Sequence, residues 1–304
     1  MSVLVVGSVA YDTVETPFGK ADDALGGSAM FFSAAASLFS PVRVVAVVGD
    51  DFNKKDLSFL EQRHVDFDGL EVQKGKTFRW GGKYDYDLNT RETLFTHLNV
   101  FENFAPKLPD EYKDTEYIFL ANIQPALQLS VLEQVQNPKL VVLDTMNYWI
   151  ERTYDDLVKA LKKVDVLVIN DSEARQLADE PNLVQAVKII QGMGPKILVI
   201  KKGEHGAMMV TPKTHFWAPA YPLEKLADPT GAGDTFAGGF VGYLAKQNDL
   251  SEFHLRSAII HGSVVASYCV EQFSADRLKT LSNQEIEKRF DEFIQMTKVS
   301  GGDK

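Results

Sequence analysis

Residues 228–241, DPTGAGDTFAGGFV, carry the most specific pattern in this 304-residue chain. Pro229, Gly231 and Gly233 favour a tight loop whose backbone a ligand can approach closely. The small and apolar residues from Thr235 onwards predict a packed helix directly after the loop. Because the first amides of a helix lack partners inside the helix, they attract anions. The segment therefore predicts an anion site at the start of a helix.

Asp234 lies in this loop, where a negative charge beside a bound phosphate is unfavourable unless the chemistry requires it. Phosphoryl transfer has such a requirement, because a carboxylate can accept the proton of the attacking hydroxyl. Backbone amides of Gly231, Ala232, Gly233 and Asp234 would hold the charge of the migrating group. The residues alone also allow a simpler role, in which Asp234 stabilises the start of the helix as a first-turn acid.

Short apolar runs without polar alternation recur along the chain. They are typical of strands buried on both faces, as in a parallel sheet covered by helices. Helix-length segments separate them, and this alternation predicts a doubly wound α/β sheet. The expected strands are 3–6, 42–48, 117–120, 140–143, 164–169 and 197–200. The expected helices are 29–39, 127–136, 155–163, 172–178, 183–193, 235–244, 255–270 and 283–296.

Two stretches interrupt the alternation, 13–25 and 72–104. The second mixes aromatic and β-branched residues with polar ones at nearly period two, which is typical of solvated antiparallel strands. We expect both stretches to form a small β lid on one α/β domain that spans 1–304. A surface hairpin without a function is the alternative. The last residues, 300–304, are expected to fray.

Charge and composition exclude several classes of protein. The hydrophobic fraction of 45% and charged fraction of 24% are those of a globular chain, and the net charge of −10 argues against nucleic acid or an anionic membrane as a partner. No apolar run approaches the roughly 20 residues of a membrane-spanning helix. The single cysteine, Cys269, lies in an apolar run and excludes an internal disulfide. These features predict a cytoplasmic protein.

Over its full length, DPTGAGDTFAGGF resembles the C-terminal signature of the PfkB family, the ribokinase-like carbohydrate and nucleoside kinases. The resemblance implies a ribokinase-like three-layer α/β/α sandwich with a mostly parallel, doubly wound sheet and a small β lid. It also implies that Asp234 is the catalytic base and that Gly231, Ala232 and Gly233 form the anion hole.

The N-terminal part resembles the substrate-binding segments of the family. VVGSVAYD ends at Asp12, where family members place an aspartate that binds substrate hydroxyls, although an exposed acid at a strand end gives the same pattern. Gly26, Gly27 and Ser28 resemble the family's di-glycine before a helix. The chain departs from the family at Phe31, where many sugar kinases carry asparagine. An aromatic residue there either packs in the core or stacks on a ring in the pocket.

The middle of the chain resembles the nucleotide side of the family's site. Asn170 and Glu173 match the NxxE motif, which organises Mg²⁺ through water, although the same residues are typical of a capped helix start. Lys201, Gly203 and Gly206 resemble the segment that follows the nucleotide phosphates and ribose. The expected nucleotide contacts also include Thr230, Gly231, Gly233 and Val264, the last in a helix for which simple packing is an equally good account.

Three further residues are expected to face the acceptor. Asn122 and Gln124 follow the strand 117–120, and ligands of open α/β sheets bind at the carboxyl ends of strands. Arg79 lies on the expected lid and would cover the acceptor.

The resemblance implies transfer of the γ-phosphate of MgATP to a primary hydroxyl of a sugar. A nucleoside kinase of the adenosine type is the alternative, and a non-catalytic sensor of a sugar phosphate or nucleotide is a third hypothesis. ATP and Mg²⁺ are the implied cofactors, and a monovalent cation such as K⁺ is left open because parts of the family use one. Unpaired strand edges on the lid would allow a homodimer.

Overall fold

The computed structural model describes residues 1–298. Its strands are β1 Val3–Val6, β2 Ala10–Thr16, β3 Gly19–Gly26, β4 Val42–Gly49, β5 Val65–Gln73, β6 Arg79–Tyr84, β7 Arg91–His97, β8 Tyr117–Leu120, β9 Leu140–Asp144, β10 Val166–Asn170, β11 Ile197–Lys201, β12 Ala207–Val210 and β13 His215–Ala218. Its α-helices are α1 Ser28–Ala36, α2 Ser58–Glu61, α3 Pro125–Leu132, α4 Asn147–Arg152, α5 Tyr154–Leu161, α6 Asp171–Ala178, α7 Leu183–Met193, α8 Ala232–Gln247, α9 Glu252–Cys269, α10 Asp276–Thr280 and α11 Asn283–Thr297.

Nine of the strands form one sheet in the order β13-β12-β11-β10-β9-β8-β1-β4-β5. Neighbouring strands run parallel, except that β12 is antiparallel to both β11 and β13. The chain builds outward from β1 in one direction through β4 and β5, and in the other from β8 to β13. The strand order thus reverses direction beside β1, and open α/β sheets bind ligands at the carboxyl ends of the strands at such a point. The predicted doubly wound, mostly parallel sheet is confirmed.

Residues of β1 belong to two separate hydrophobic cores. Val3 and Val5 pack on one face of the sheet, in a core that includes residues of α1, α8 and α9. Leu4 and Val6 pack on the other face, in a core that includes residues of α3, α5 and α7. Because side chains alternate between the faces of a strand, a strand covered on both sides needs apolar residues at every position. The result is the expected three-layer sandwich.

The remaining four strands form a second sheet in the order β3-β2-β6-β7, which we call the lid sheet and which spans 10–26 and 79–97. Its second part, 79–97, is shorter than the expected stretch 72–104. Residues 72 and 73 belong to β5, which pairs with β4 in the main sheet, and Val100 is buried in the main core. The edge strand β5 has exposed and buried residues mixed, so its sequence resembles that of a lid strand.

The lid sheet lies against the main part of the protein through a small hydrophobic cluster. Val14, Tyr84 and Leu88 are buried there, and Leu226 and Phe273 from the main part pack against them. Within residues 1–298, no helix combines the length and the hydropathy that a membrane crossing needs. The fraying expected at 300–304 lies outside the described residues.

Candidate active site

The glycine loop, residues 228–234, leads into α8 and includes its first three residues, because the helix begins at Ala232. Gly231 precedes the helix with a φ of 75°, and a Cβ atom there would lie 2.3 Å from the ring of Phe31. Both the conformation and the space therefore require glycine. The Asp228 carboxylate accepts hydrogen bonds from the amides of Thr230, at 2.8 Å, and Ser274, at 3.2 Å. The carboxylate thereby links the loop to the chain beyond α9.

Asp234 lies in the first turn of α8 and is half-buried. Burial raises the pKa of its carboxyl to about 7, the charge of Asp144 raises it further, and the charge of Lys201 opposes the rise. A carboxyl with such a pKa holds and releases a proton near neutral pH. This property suits a general base better than it suits a helix cap, whose charge is best maintained well below neutrality.

Lys201 brings a positive charge beneath the glycine loop. Its Nζ atom lies 3.2 Å from Oδ2 of Asp144 and 3.0 Å from the place where a Cβ atom of Gly233 would stand. Burial lowers the pKa of Lys201, but the carboxylates of Asp144, Glu173 and Asp234 raise it, and the balance is a raised pKa. The ammonium is therefore charged, and it reaches the backbone that is expected to bind phosphate.

Asn170 and Glu173 form a capping box at the start of α6. The Asn170 side chain accepts a hydrogen bond from the Glu173 amide at 2.8 Å, and Oε2 of Glu173 accepts one from the Asn170 amide at 3.1 Å. Burial raises the pKa of Glu173 to about 7, and the charge of Lys201 opposes the rise. The capping role is thus present in the geometry, and the role near the metal stays a prediction.

Asp12 lies within β2 of the lid sheet, and not at the end of β1, because β1 ends at Val6 and β2 begins at Ala10. A Cβ atom on Gly26 would stand 2.0 Å from Oδ2 of Asp12, so glycine makes room for the carboxylate. Burial raises the pKa of Asp12 to about 7, while a hydrogen bond from the Gly27 amide opposes the rise.

The start of α1 is held by hydroxyl groups. The Ser28 amide donates to Oγ of Ser8 at 3.0 Å, and the Ser8 amide donates to Oγ of Ser28 at 3.2 Å. Gly27 has a φ of 94°, and a Cβ atom there would lie 2.5 Å from the carbonyl oxygen of Ser8. Phe31 is 2% exposed and belongs to the core. That burial agrees with core packing, one of the two roles that the sequence left open.

The other expected acceptor residues have partners of their own. Oδ1 of Asn122 accepts a hydrogen bond from the Trp149 indole at 2.9 Å, and Gln124 is exposed at the start of α3. The Arg79 guanidinium pairs with Asp51 at 2.9 Å and with Asp23 at 3.2 Å. Contact of these three residues with an acceptor stays a prediction.

A cavity of about 520 Å³ opens beside the glycine loop. The expected nucleotide residues Lys201, Gly203, Gly206 and Gly233 all line it. Helix α9 faces the cavity with Ser263, Ala266 and Ser267, and Val270 follows directly after the helix. Val264 is instead fully buried in the core, because a helix turns by about 100° per residue and carries neighbouring side chains to different faces. Thr230 is also buried, and its hydroxyl contacts the lid.

Sequence reasoning missed the lid residues that reach the cleft. Oη of Tyr84 lies 3.2 Å from Oγ1 of Thr230, and Asp87, Leu88 and Asn89 line the cavity. Arg91 stands opposite Tyr84 in the pairing of β6 with β7. Strand alternation indicates which lid residues share a face, but it does not tell which face meets the glycine loop.

Comparison with known proteins extends these observations. The model of the pfkB family carbohydrate kinases matches residues 3–280. A cytidine kinase of Thermococcus kodakarensis is 29% identical over 83% of this chain and 91% of its own, and an ATP-dependent ribose-1-phosphate kinase of Halopiger xanaduensis is 28% identical over 74% and 75%. The structure of Burkholderia thailandensis nucleoside kinase in complex with inosine covers 95% of this chain and 97% of its own, at 20% identity and a TM-score of 0.78. The expected resemblance is confirmed, and the chain belongs to the pfkB family of carbohydrate kinases.

Proposed function

We propose that this protein transfers the γ-phosphoryl group of ATP to the primary hydroxyl of a nucleoside. The observation that carries the proposal is the position of Asp234, half-buried in the first turn of α8 and close to Lys201 and the glycine loop. That arrangement combines a base whose pKa is near neutrality with backbone amides and an ammonium group that can bind negative charge. Phosphoryl transfer requires both in one place.

The reaction follows from these groups. The acceptor oxygen attacks the γ-phosphorus, its proton passes to Asp234, and a new P–O bond forms. The bond from the γ-phosphorus to the bridging oxygen breaks, and its electron pair leaves with ADP. The amides at the start of α8 and the Lys201 ammonium stabilise the charge that moves onto the phosphoryl oxygens.

The oxygen atoms of Asn170 and Glu173, near Lys201, are suited to bind a hydrated Mg²⁺ ion. The capping box uses the Oε2 atom of Glu173, so the other carboxylate oxygen is available to a water of the ion. Mg²⁺ keeps most of its waters and needs few protein ligands. When bound with the nucleotide, it would supply charge neutralisation between the phosphates. Asn170 would hold Glu173 in place through the same capping box.

Asp12 and the backbone of Gly26 and Gly27 would bind the other hydroxyls of the acceptor. Asp12 is 8% exposed, and the negative charge of Asp234 is near enough to raise its pKa. A neutral hydroxyl that donates to Asp12 would therefore be bound at a short distance from the base. Exclusion of water by the lid sheet would limit hydrolysis of ATP.

The nucleoside is preferred over a sugar because the cytidine kinase matches more of the chain than the ribose-1-phosphate kinase does. A sugar acceptor, which the sequence favoured, is the second candidate, and the ribose-1-phosphate kinase supports it.

An ADP-release assay with MgATP tests the proposal against purine and pyrimidine nucleosides, ribose, ribose 1-phosphate and hexoses. Turnover with nucleosides that is lost in Asp234→Asn would support it. Asp155→Asn is the matched control, because Asp155 is an exposed first-turn acid of α5. Turnover only with sugars would show that the acceptor is a sugar and not a nucleoside. Ligand binding without turnover across the panel would favour a non-catalytic sensor.

Three finer expectations belong to the same proposal. Activation by K⁺ would appear as a higher rate in potassium than in sodium salts. A homodimer through the lid sheet would appear in sedimentation and would be broken by a charge placed on β7, for example by Leu94→Asp at an exposed position. A cytoplasmic location agrees with the buried, unpaired Cys269.

A further inference from the structure

The cavity beside the glycine loop has a charged part and a largely apolar part. Lys201 and Gly233 line it where the phosphates of a nucleotide are expected. Most of the other side chains in the lining are apolar, among them Pro222, Leu223, Leu226, Phe236 and Ala266. An apolar lining suits a flat nucleobase, and the few polar groups within it then determine which base is bound.

The hydroxyl group of Ser267 is one of these polar groups, and its hydrogen bonds are fixed by the protein. Oγ donates to the carbonyl oxygen of Val264 at 2.7 Å and accepts from Nη1 of Arg289 at 2.9 Å. A carbonyl oxygen can only accept and a guanidinium can only donate, so both directions are certain. A hydroxyl has one proton and two lone pairs. Ser267 can therefore offer a ligand one acceptor and no donor.

The other hydroxyl groups that line the cavity, within residues 1–298, have also given their protons to the protein. Ser263 lies one turn before Ser267 on the same face of α9, and its Oγ donates to the carbonyl oxygen of Ile259 at 3.0 Å. Oη of Tyr221 donates to Oε2 of Glu292 at 2.6 Å. All three hydroxyls thus present acceptors to a nucleobase.

Arg289 comes from α11 and is held rigidly behind the cavity. Its Nη2 atom pairs with Oε1 of Glu271 at 2.7 Å, which neutralises the charge. Its Cζ atom lies 3.4 Å from the ring centroid of Tyr268 and 4.6 Å from that of Tyr221. A guanidinium fixed on several sides donates in one direction. Arg289 is therefore suited to keep the Ser267 hydroxyl in a single orientation.

We propose that Ser267, oriented by Arg289, is a specificity-determining residue that accepts a hydrogen bond from the amino group of the nucleotide's base. The inference rests on the proposed phosphoryl transfer and adds the choice of the donor base. A 6-aminopurine supplies the proton that Ser267 lacks. A 6-oxopurine would place its oxygen against the lone pair of Ser267, so that two acceptors would face each other without a proton and away from water.

A purely structural role is the alternative, in which Arg289 and Ser267 only tie α11 to α9. The two roles differ in how they affect different bases. A loss of packing would weaken the binding of every nucleotide to the same extent. Loss of the acceptor would weaken the binding of a 6-aminopurine nucleotide and leave that of a 6-oxopurine nucleotide unchanged or stronger.

The test measures binding by calorimetry with Mg²⁺ and without an acceptor, for ADP, IDP and the diphosphate of purine riboside, which has no group at position 6. The wild type should bind ADP at least about tenfold more tightly than IDP, with the third nucleotide between them. Ser267→Ala should reduce the ratio of the ADP and IDP affinities to within about threefold. Arg289→Lys should also reduce it, because lysine cannot hold Glu271 and Ser267 in the same fixed geometry.

Ser257→Ala is the matched control, because Ser257 is a half-buried serine of α9 that does not line the cavity. It should leave the ratio unchanged, and thermal unfolding should show that each variant is folded. Equal affinities of the wild type for ADP and IDP, or a ratio that Ser267→Ala leaves unchanged, would overturn the inference.

Initial rates with ATP and ITP separate this inference from the proposed function. Equal rates and KM values for ATP and ITP would leave the proposed function in place and overturn the role of Ser267. Failure of the wild type to turn over any acceptor would refute the proposed function, and the binding ratio would still decide whether Ser267 selects the base.

Discussion

Lys201 and Asp144 form an ion pair across the carboxyl edge of the main sheet, with 3.2 Å between Nζ and Oδ2. Lys201 ends β11 and Asp144 ends β9, so the pair spans the strand β10 that lies between them. The lysine side chain is 19% exposed and the aspartate side chain 6%. The pair therefore lies under the glycine loop, where removal of one charge leaves the other without compensation.

Loss of one partner of this pair should be costly. Lys201→Met leaves Asp144, Glu173 and Asp234 without their shared cation, and we expect it to lower the free energy of unfolding by about 3 kcal/mol and to raise the KM for ATP. Urea denaturation and initial rates measure the two effects. The double variant Lys201→Met with Asp144→Leu should recover part of the stability but none of the activity. A double variant less stable than Lys201→Met would contradict this account.

The activity should depend on pH through Asp234. Because burial raises its pKa to about 7 and a base must be unprotonated, kcat/KM should fall as the pH drops below about 7. A profile from pH 5.5 to 9 at constant ionic strength measures this, with a stable protein fold checked at each end. A kcat/KM that stays constant down to pH 5.5 would show that no group with a raised pKa acts as the base.

The stability should depend on pH in the opposite sense. The carboxyls of Asp12, Glu173 and Asp234 bind protons more tightly in the folded than in the unfolded chain, because burial raises all three pKa values. The free energy of unfolding should therefore decrease as the pH rises from about 4 to about 7, as these groups ionise in the fold.

Asp234→Asn removes one of these buried charges. At pH 8 it should raise Tm by about 2 °C or more even as it abolishes turnover, and at pH 5 the gain should shrink. Thermal unfolding at both pH values, with Asp155→Asn as the control, measures the difference. A lower Tm for Asp234→Asn at pH 8 would argue that the charge stabilises the start of α8, as a helix-capping acid does.

Gly231→Ala should damage the loop for two separate reasons. The φ of 75° is unfavourable for alanine, and the new Cβ atom would overlap the Phe31 ring. We expect a loss of at least about 100-fold in kcat and a lower Tm, and Phe31→Leu should relieve only the overlap. Gly192→Ala in α7 is the control, since nothing lies within 4 Å of its Cβ position, and it should stabilise the protein by about 0.5–1 kcal/mol. Equal effects of both substitutions would refute the argument.

Local sequence patterns were enough to predict much of the main sheet. The expected strands 3–6 and 117–120 and the helix 183–193 have the same bounds in the structure. Each is short or strongly periodic, and each has side chains buried on defined faces, so local composition reflects its surroundings. The loop 228–234 could also be predicted from the sequence, because glycine at a positive φ and a helix start leave a local sequence pattern.

Features that depend on neighbouring strands could not be predicted from the sequence. The edge strand β5 is mostly half-buried or exposed and so resembles a lid strand, and the short β12 and β13 at the other edge gave no clear pattern. Val264 was expected at the nucleotide and lies in the core, because sequence gives the helix but not its rotation about its axis.

The sequence by itself determined the layered α/β architecture and the glycine loop, because each depends on residues close together in the chain, and it predicted Asp234 as the base. Only the tertiary structure brought Lys201 to Asp144, which are 57 positions apart, and placed Arg91 opposite Tyr84 above Thr230. Those pairings depend on strand order and on the docking of the lid sheet. Charges interact through distance in space, and no local pattern encodes that distance.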